Sequence, residues 1–367
     1  PHHDCYAKAP RETAGLFVLY WASSAVETIE MDSANSKSDL VYATTDDGLR
    51  LPVIDVTRPE FALPDDAASV AALDAAVREA EWRNALIPGF IMGFMLRSAA
   101  RRSRLLADIM QPEATYLAGL TTYIMKLGVE NLPPPFTTDI DRRLVSAPPV
   151  VAMRLRLQQV AKLLADGVEP RLAANAAAPL VLINIGGGPA IDSLNALILL
   201  RRRNAALLAR PIAIHVLDID PAGPRFGAAA LAALSAPDQP LAGLDVAFTH
   251  EQYDWNAPSL LADLVRRTGS QNAIVAASSE GALFEYGDDD AIVANLDALH
   301  NDGRGAKVVA GSVTSADALH RQSVANTRFK LVPRGLEGFR PLAARGGFGI
   351  ARSETAPLGD QVLLEPA

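Results

Sequence analysis

Residues 181–220, VLINIGGGPAIDSLNALILLRRRNAALLARPIAIHVLDID, constrain the fold more than any other part of the chain. An aliphatic run enters a glycine cluster at Gly186, Gly187 and Gly188. A long apolar-rich stretch follows, and a second aliphatic run ends on Asp218 and Asp220. A strand, a glycine turn, a helix and a parallel strand tipped with carboxylate give this pattern. Such a unit brings backbone amides and an acidic side chain to the carboxyl edge of a sheet, where nucleoside-bearing ligands bind.

The alternation continues downstream. Strands are expected at 180–185, 212–217, 244–250, 272–277 and 307–312, with helices at 192–208, 223–234, 257–267 and 287–300 between them. A closing antiparallel pair is expected at 329–333 and 348–353. This predicts an α/β, doubly wound, mostly parallel sheet with helices on both faces. Upstream, residues 1 to about 60 read as extended and turn-rich, with a short strand at 16–20 and a turn at Asp46-Asp47-Gly48. Helical texture then runs from Asp65 to 86, from Pro88, from Pro112 to 127 and over 149–166. The chain therefore divides into an N-terminal region, 1–145, extended and then mainly helical, and a catalytic region, 146–367. The first would cap the second or form a dimer face. Its segment Phe90, Ile91, Met92, Phe94, Met95 and Leu96 is too apolar to be left in water.

Bulk properties exclude several classes. With 367 residues, 49% of them hydrophobic, the chain can bury a large core. A net charge of -8 opposes binding to phosphate backbones, so nucleic acid is not an expected partner. No apolar run reaches the roughly 18 residues that span a bilayer, so no membrane is expected. One cysteine, Cys5, allows neither an internal disulfide nor a Cys-based zinc cluster, which suits a cytoplasmic protein.

The glycine cluster discriminates among cofactors. A phosphate loop needs Gly-Lys-Ser/Thr after the turn, but Gly188 is followed by Pro189. A dinucleotide site wants a third glycine to let the helix approach the strand; that position is Ile191, which disfavours a nicotinamide oxidoreductase. What remains is Asn184-Ile185-Gly186-Gly187-Gly188-Pro189-Ala190 followed by an acid-tipped second strand. Over residues 150–365 this resembles the class I, Rossmann-like S-adenosylmethionine-dependent methyltransferases.

The resemblance implies a seven-stranded sheet, S-adenosyl-L-methionine as cofactor and a small-molecule methyl acceptor, with no metal. It implies that Gly186, Gly187 and Gly188 underlie the cofactor and that Asp218 grips the ribose hydroxyls. Asp254 and Trp255 would flank the adenine. Asn184 stands where the family has a carboxylate, and Asp192 either replaces that charge or caps the following helix. Ser278 and Glu280, after the fourth strand, and Tyr286 face the acceptor side; Glu280 or His250 is the expected base. Two alternatives stay open. Aminopropyl transferases share the fold and an Ile-Gly-Gly-Gly motif, but Ala276-Ala277-Ser278-Ser279-Glu280 lacks their carboxylate at the strand end. A binding protein that kept the fold and lost catalysis is favoured by Asn184.

Overall fold

The computed structural model describes residues 40–87, 89–110, 118–301, 303–325 and 329–367. The strand expected at 16–20 and the start of the helix expected from Pro112 lie outside them. A short antiparallel hairpin comes first, β1 (Tyr42–Thr44) and β2 (Arg50–Pro52). Among the described residues six α-helices follow: α1 (Ala67–Ala85), α2 (Gly89–Ala100), α3 (Arg104–Ile109), α4 (Gly119–Lys126), α5 (Asp139–Ser146) and α6 (Pro148–Ala174). Local chemistry fixes their ends. Asp66 accepts the amides of Ala68 and Ser69 at the start of α1, and Thr138 and Asp141 form a reciprocal capping box on α5.

Strand and helix then alternate through β3 (Leu180–Ile185), α7 (Ile191–Arg203), β4 (Ile212–Asp218), α8 (Ala222–Leu234), β5 (Val246–Gln252), α9 (Ser259–Ser270) and β6 (Ile274–Ser279). They continue through α10 (Leu283–Tyr286), α11 (Asp289–His300), β7 (Val308–Thr314), α12 (Ala318–Ala325), α13 (Gly335–Arg345), β8 (Phe348–Ala356) and β9 (Gly359–Pro366). The sheet order is β5-β4-β3-β6-β7-β9-β8; the first five neighbours run parallel, and β9 runs antiparallel to both β7 and β8. This is the doubly wound, mostly parallel seven-stranded sheet of the class I methyltransferase fold. Strand order reverses between β3 and β6, so the crevice of such a sheet opens above their carboxyl ends.

Burial follows position. Central β3 is buried at all six residues, as a parallel strand covered on both faces must be, whereas edge strand β5 alternates. One core layer joins β1 and β2, α4 to α8 and one face of the sheet; the other joins the opposite face to α9, α11 and α13. Most of the helical region thus shares a core with the sheet. Its long helix α6 lies across β7 and β9. A Cβ at Gly167 would stand 2.8 Å from Val308 Cγ1 and 2.9 Å from Leu363 Cδ1, so glycine there lets helix and sheet touch.

Three sequence expectations change. The helix expected over 192–208 stops at Arg203; Asn204 turns extended, accepts the Ala206 amide and starts a separate 3-10 turn. Residues 329–333 form no strand. Val332 N–H donates to Glu285 O of α10 at 2.8 Å, and the partner of β8 is β9. In α2, Met92 and Leu96 pack with Ala99 and Leu106 in a small separate core, but Phe94 is 70% exposed, with Ile91, Trp82 and Leu86 also open to solvent. No helix among the described residues is long and apolar enough to cross a membrane. Gly167→Leu should destabilise the fold by about 1–3 kcal/mol through overpacking of α6 against the sheet, measured by chemical denaturation.

Candidate functional site

The turn after β3 is held from both neighbouring strands. Gly186 and Gly188 take φ of +67° and +57°, a region side chains disfavour. Gly186 N–H donates to Leu217 O at 2.8 Å. Gly188 N–H donates to Asp218 Oδ2 and Asp220 N–H to Asp218 Oδ1, both at 2.9 Å. Asp218 thus clamps the turn while each oxygen keeps a lone pair. Burial pushes its carboxyl above the ordinary value, against the two amides that favour the charge.

Beyond Asp218 the crevice is open. Ile219 is 48% exposed, one of five large apolar side chains so exposed among the described residues. Asp254 is also exposed and braces its own loop by accepting the Asn256 amide at 2.9 Å. Trp255 is half-buried, and its carbonyl is fixed by buried Asn295 at 2.7 Å. A carboxylate, an exposed aliphatic side chain and an indole at one strand end make a seat with polar and apolar walls.

The other half of the crevice is filled by the chain itself. Asn184 is wholly buried. Its Oδ1 accepts from Gly187 N at 3.0 Å, and its Nδ2 donates to Asp192 Oδ1 at 2.8 Å and to Ser278 Oγ at 3.2 Å. A Cβ at Gly187 would collide with the Asn184 amide; at Gly186 it would lie 2.8 Å from Ala282 Cβ and 3.1 Å from the Trp255 ring. Gly188 meets the Gly119 backbone, and a Cβ on Gly223 would lie 2.8 Å from Gly188 Cα. Starts of α4 and α8 thus press on the turn. Asp192 does not cap α7, whose N-cap is Ala190 with no side-chain hydrogen bond. It is buried, its Oδ2 has no partner, and desolvation pushes its carboxyl up to about 6, with Glu280 adding to the effect. Ser278 lies in the same sealed cluster.

A buried ion chain crosses the carboxyl ends of the sheet. Lys126 of α4 pairs with Glu280 Oε2, Arg156 Nε of α6 with Glu280 Oε1 at 2.6 Å, and Arg156 Nη1 with Glu285 at 3.1 Å. Burial alone would raise Glu280, but Lys126 and Arg156 overturn this and hold it below the ordinary range. A carboxylate with both oxygens committed to cations is a poor proton acceptor, which corrects the expectation that Glu280 is the base. His250 is no substitute there. Its Nε2 is bonded to Asp218 O at 2.9 Å, and β5 stands three strand spacings, about 14 Å, from β6. Of the three residues expected to be catalytic, Glu280 and Tyr286 come together and His250 does not.

Past the ion chain lies a pocket that opens to solvent. Arg156 and Met153 of α6, Gly281, Tyr286, Thr314 and Gln361 lie in its wall. Burial pushes the Tyr286 hydroxyl up, so it stays neutral. A second titratable pair borders the pocket: His320 of α12 holds Glu81 of α1 through Nδ1 at 2.8 Å, with side chains 3% and 4% exposed. No local signal in the sequence points to this pair, whose members stand 239 residues apart. Lys126 and Arg156 were missed for the same reason. Ile219 was missed too, although its place directly after the strand-ending acid is a local signal.

No family model matches the sequence, and no curated protein does. Solved structures do resemble it. A possible exported protein from Bordetella parapertussis is 15% identical, with 84% of this chain and 99% of that one covered and a TM-score of 0.49. Mitomycin 7-O-methyltransferase is 16% identical over 83% and 74%, at 0.38. A methyltransferase of calicheamicin biosynthesis in its SAH-bound form is 15% identical over 82% and 96%, at 0.35. At such values the strand order, not the likeness, carries the assignment: the chain has the class I methyltransferase fold.

Asp192 has a clear pH signature. Its folded carboxyl titrates near 6 against 3.8 for a free one, so the stability of its protonated form is present below 3.8 and is lost as pH rises through about 6. Across that window the wild type should lose about 2–3 kcal/mol relative to Asp192→Asn, read from denaturant midpoints on either side.

Proposed function

We propose that this protein is an S-adenosyl-L-methionine-dependent methyltransferase acting on a small molecule. The observation that carries this is Asp218 beside exposed Ile219 at the end of β4, next to the switch point of a class I sheet. The nucleoside half of the cofactor fits there. Asp218 would accept the ribose hydroxyls, Ile219 and Trp255 would flank the adenine, and Asp254 would accept its amine. When bound, the cofactor supplies an electrophilic methyl group. The protein's own work is to orient and dehydrate the acceptor. The pocket bordered by Tyr286 and Arg156 suits an acceptor, because it lies over the carboxyl ends of β6 and β7 with α6 as its lid.

One observation favours a second reading. Every glycine of the turn owes its missing Cβ to a contact within the chain, so the amino-acid tail of the cofactor has no cradle until Trp255 and α4 shift. On that reading the protein binds a nucleoside and transfers nothing. Calorimetry separates the two. Equal affinity for adenosine and S-adenosylhomocysteine supports the binding protein, a clear preference for S-adenosylhomocysteine supports the transferase, and binding of neither removes both. Asp218→Ala should weaken S-adenosylhomocysteine binding by about 1–3 kcal/mol through loss of buried acceptors; an unchanged affinity removes Asp218 from the ribose.

We take the protein to be cytoplasmic, with residues 1–145 as cap and 146–367 as catalytic region. The open apolar side chains of α1 and α2 suit a homodimer contact. Phe94→Glu should then shift sedimentation toward the monomer, and an unchanged profile ends the dimer reading.

A further inference from the structure

We propose that the pocket under α6 is a phenol-binding site in which His320, oriented by Glu81, takes the phenolic proton. The idea deepens the methyl-transfer reading and rests on it for its purpose, but its test does not. An ionised Glu81 can only accept, so in the neutral imidazole the bonded Nδ1 of His320 carries the proton and Nε2 keeps its lone pair. Among the described residues Nε2 has no partner, and His320 borders the pocket. This is the arrangement that readies an imidazole as a base, with a carboxylate fixing the tautomer and stabilising the charge that forms.

Two further side chains point to a ligand. Thr314 Oγ1 and Gln361 Oε1 are buried without partners, and both residues line the same pocket. The amide nitrogen of Gln361 is already committed to Gln159 Oε1 at 3.0 Å, so its oxygen is left seeking a donor. Buried polar atoms left unmatched cost free energy that a ligand carrying hydroxyl groups would recover. Met153, Leu331 and Leu358 supply apolar walls for a ring.

Charge selects a neutral ligand. Arg156, the one Lys or Arg among the described residues of the wall, is already paired with Glu280 and Glu285, and Glu81 is bonded to His320. Behind His320, Asp317 accepts its amide at 2.9 Å and is itself 3.9 Å from Arg78. The remaining titratable group in the wall, Tyr286, is neutral. A carboxylate or phosphate would find no free cation in that described wall. Acidity selects a phenol over an alcohol: phenols ionise at about pH 10, whereas alkanols hold their proton far more tightly. In the step, the phenol O–H bond breaks, its electron pair stays on oxygen and the proton passes to Nε2. The resulting imidazolium is paired with Glu81 and the phenolate is left as the nucleophile.

4-Nitrophenol is a direct probe, because its phenolate absorbs where its neutral form does not. It should be titrated into the full chain without cofactor, at a pH where the free dye is mostly neutral. Saturable growth of the phenolate band is expected. His320→Asn should bind the dye and abolish the band, Glu81→Gln should reduce the ionised fraction about tenfold, and Thr314→Val should weaken binding about tenfold while keeping the band. The last two keep side-chain volume and guard against a loss of folding in the first. No saturable binding, or a phenolate band unchanged in Glu81→Gln and His320→Asn, overturns the proposal. Dye ionisation in a protein that ignores S-adenosylhomocysteine would leave the pocket standing and end the transferase reading alone.

Discussion

Four charges buried at the carboxyl edge of the sheet, Lys126, Glu280, Arg156 and Glu285, tie together parts of the chain that lie far apart in sequence. Lys126 comes from the short helix α4, Arg156 from the long helix α6, and the carboxylates from the segment after β6. Removing these ions from water is costly, and only their mutual pairing offsets the loss. Helices α4 and α6 therefore sit on the sheet in one arrangement, because any slippage would leave a buried charge alone. Burial pulls the Lys126 ammonium down even so, while Glu285 and Glu280 outweigh burial at Arg156 and hold its guanidinium up.

This ion chain also divides the site. On one side is the crevice at the switch point, with Asp218, Ile219 and Asp254 reachable and Asn184, Asp192 and Ser278 sealed. On the other is the pocket bordered by Thr314, His320 and Gln361. The sealed half is a close contact of glycine backbones, Gly188 with Gly119 and Gly223, and it depends on the same placement of α4 that Lys126 enforces. The seating of α4 and access to the crevice are thus linked. A movement of α4 that opened the turn would also expose Glu280 to solvent.

Strand β3 matched its sequence expectation at both ends, and the other parallel strands shifted by about two residues at most. The reason is that a fully buried parallel strand writes itself as an unbroken aliphatic run. The final hairpin was harder to read. Residues 329–333 look as extended as 359–366, and only the latter finds a ladder partner in β8. Of the site, the glycine turn and Asp218 were legible because their spacing is local. Glu280 looked like a base because it follows β6 at the crevice edge, and the cations that hold it, Lys126 and Arg156, stand more than a hundred residues away in sequence.

By itself, then, the sequence determined the alternation of strand and helix, the glycine turn and the acid at the end of β4, all of which rest on contacts a few residues apart. The tertiary structure decided which charges neutralise one another, which half of the crevice is closed and that Glu81 meets His320 beside a pocket. Those outcomes depend on distances between helices and strands that no local pattern encodes, since burial and pairing are set only when the layers pack.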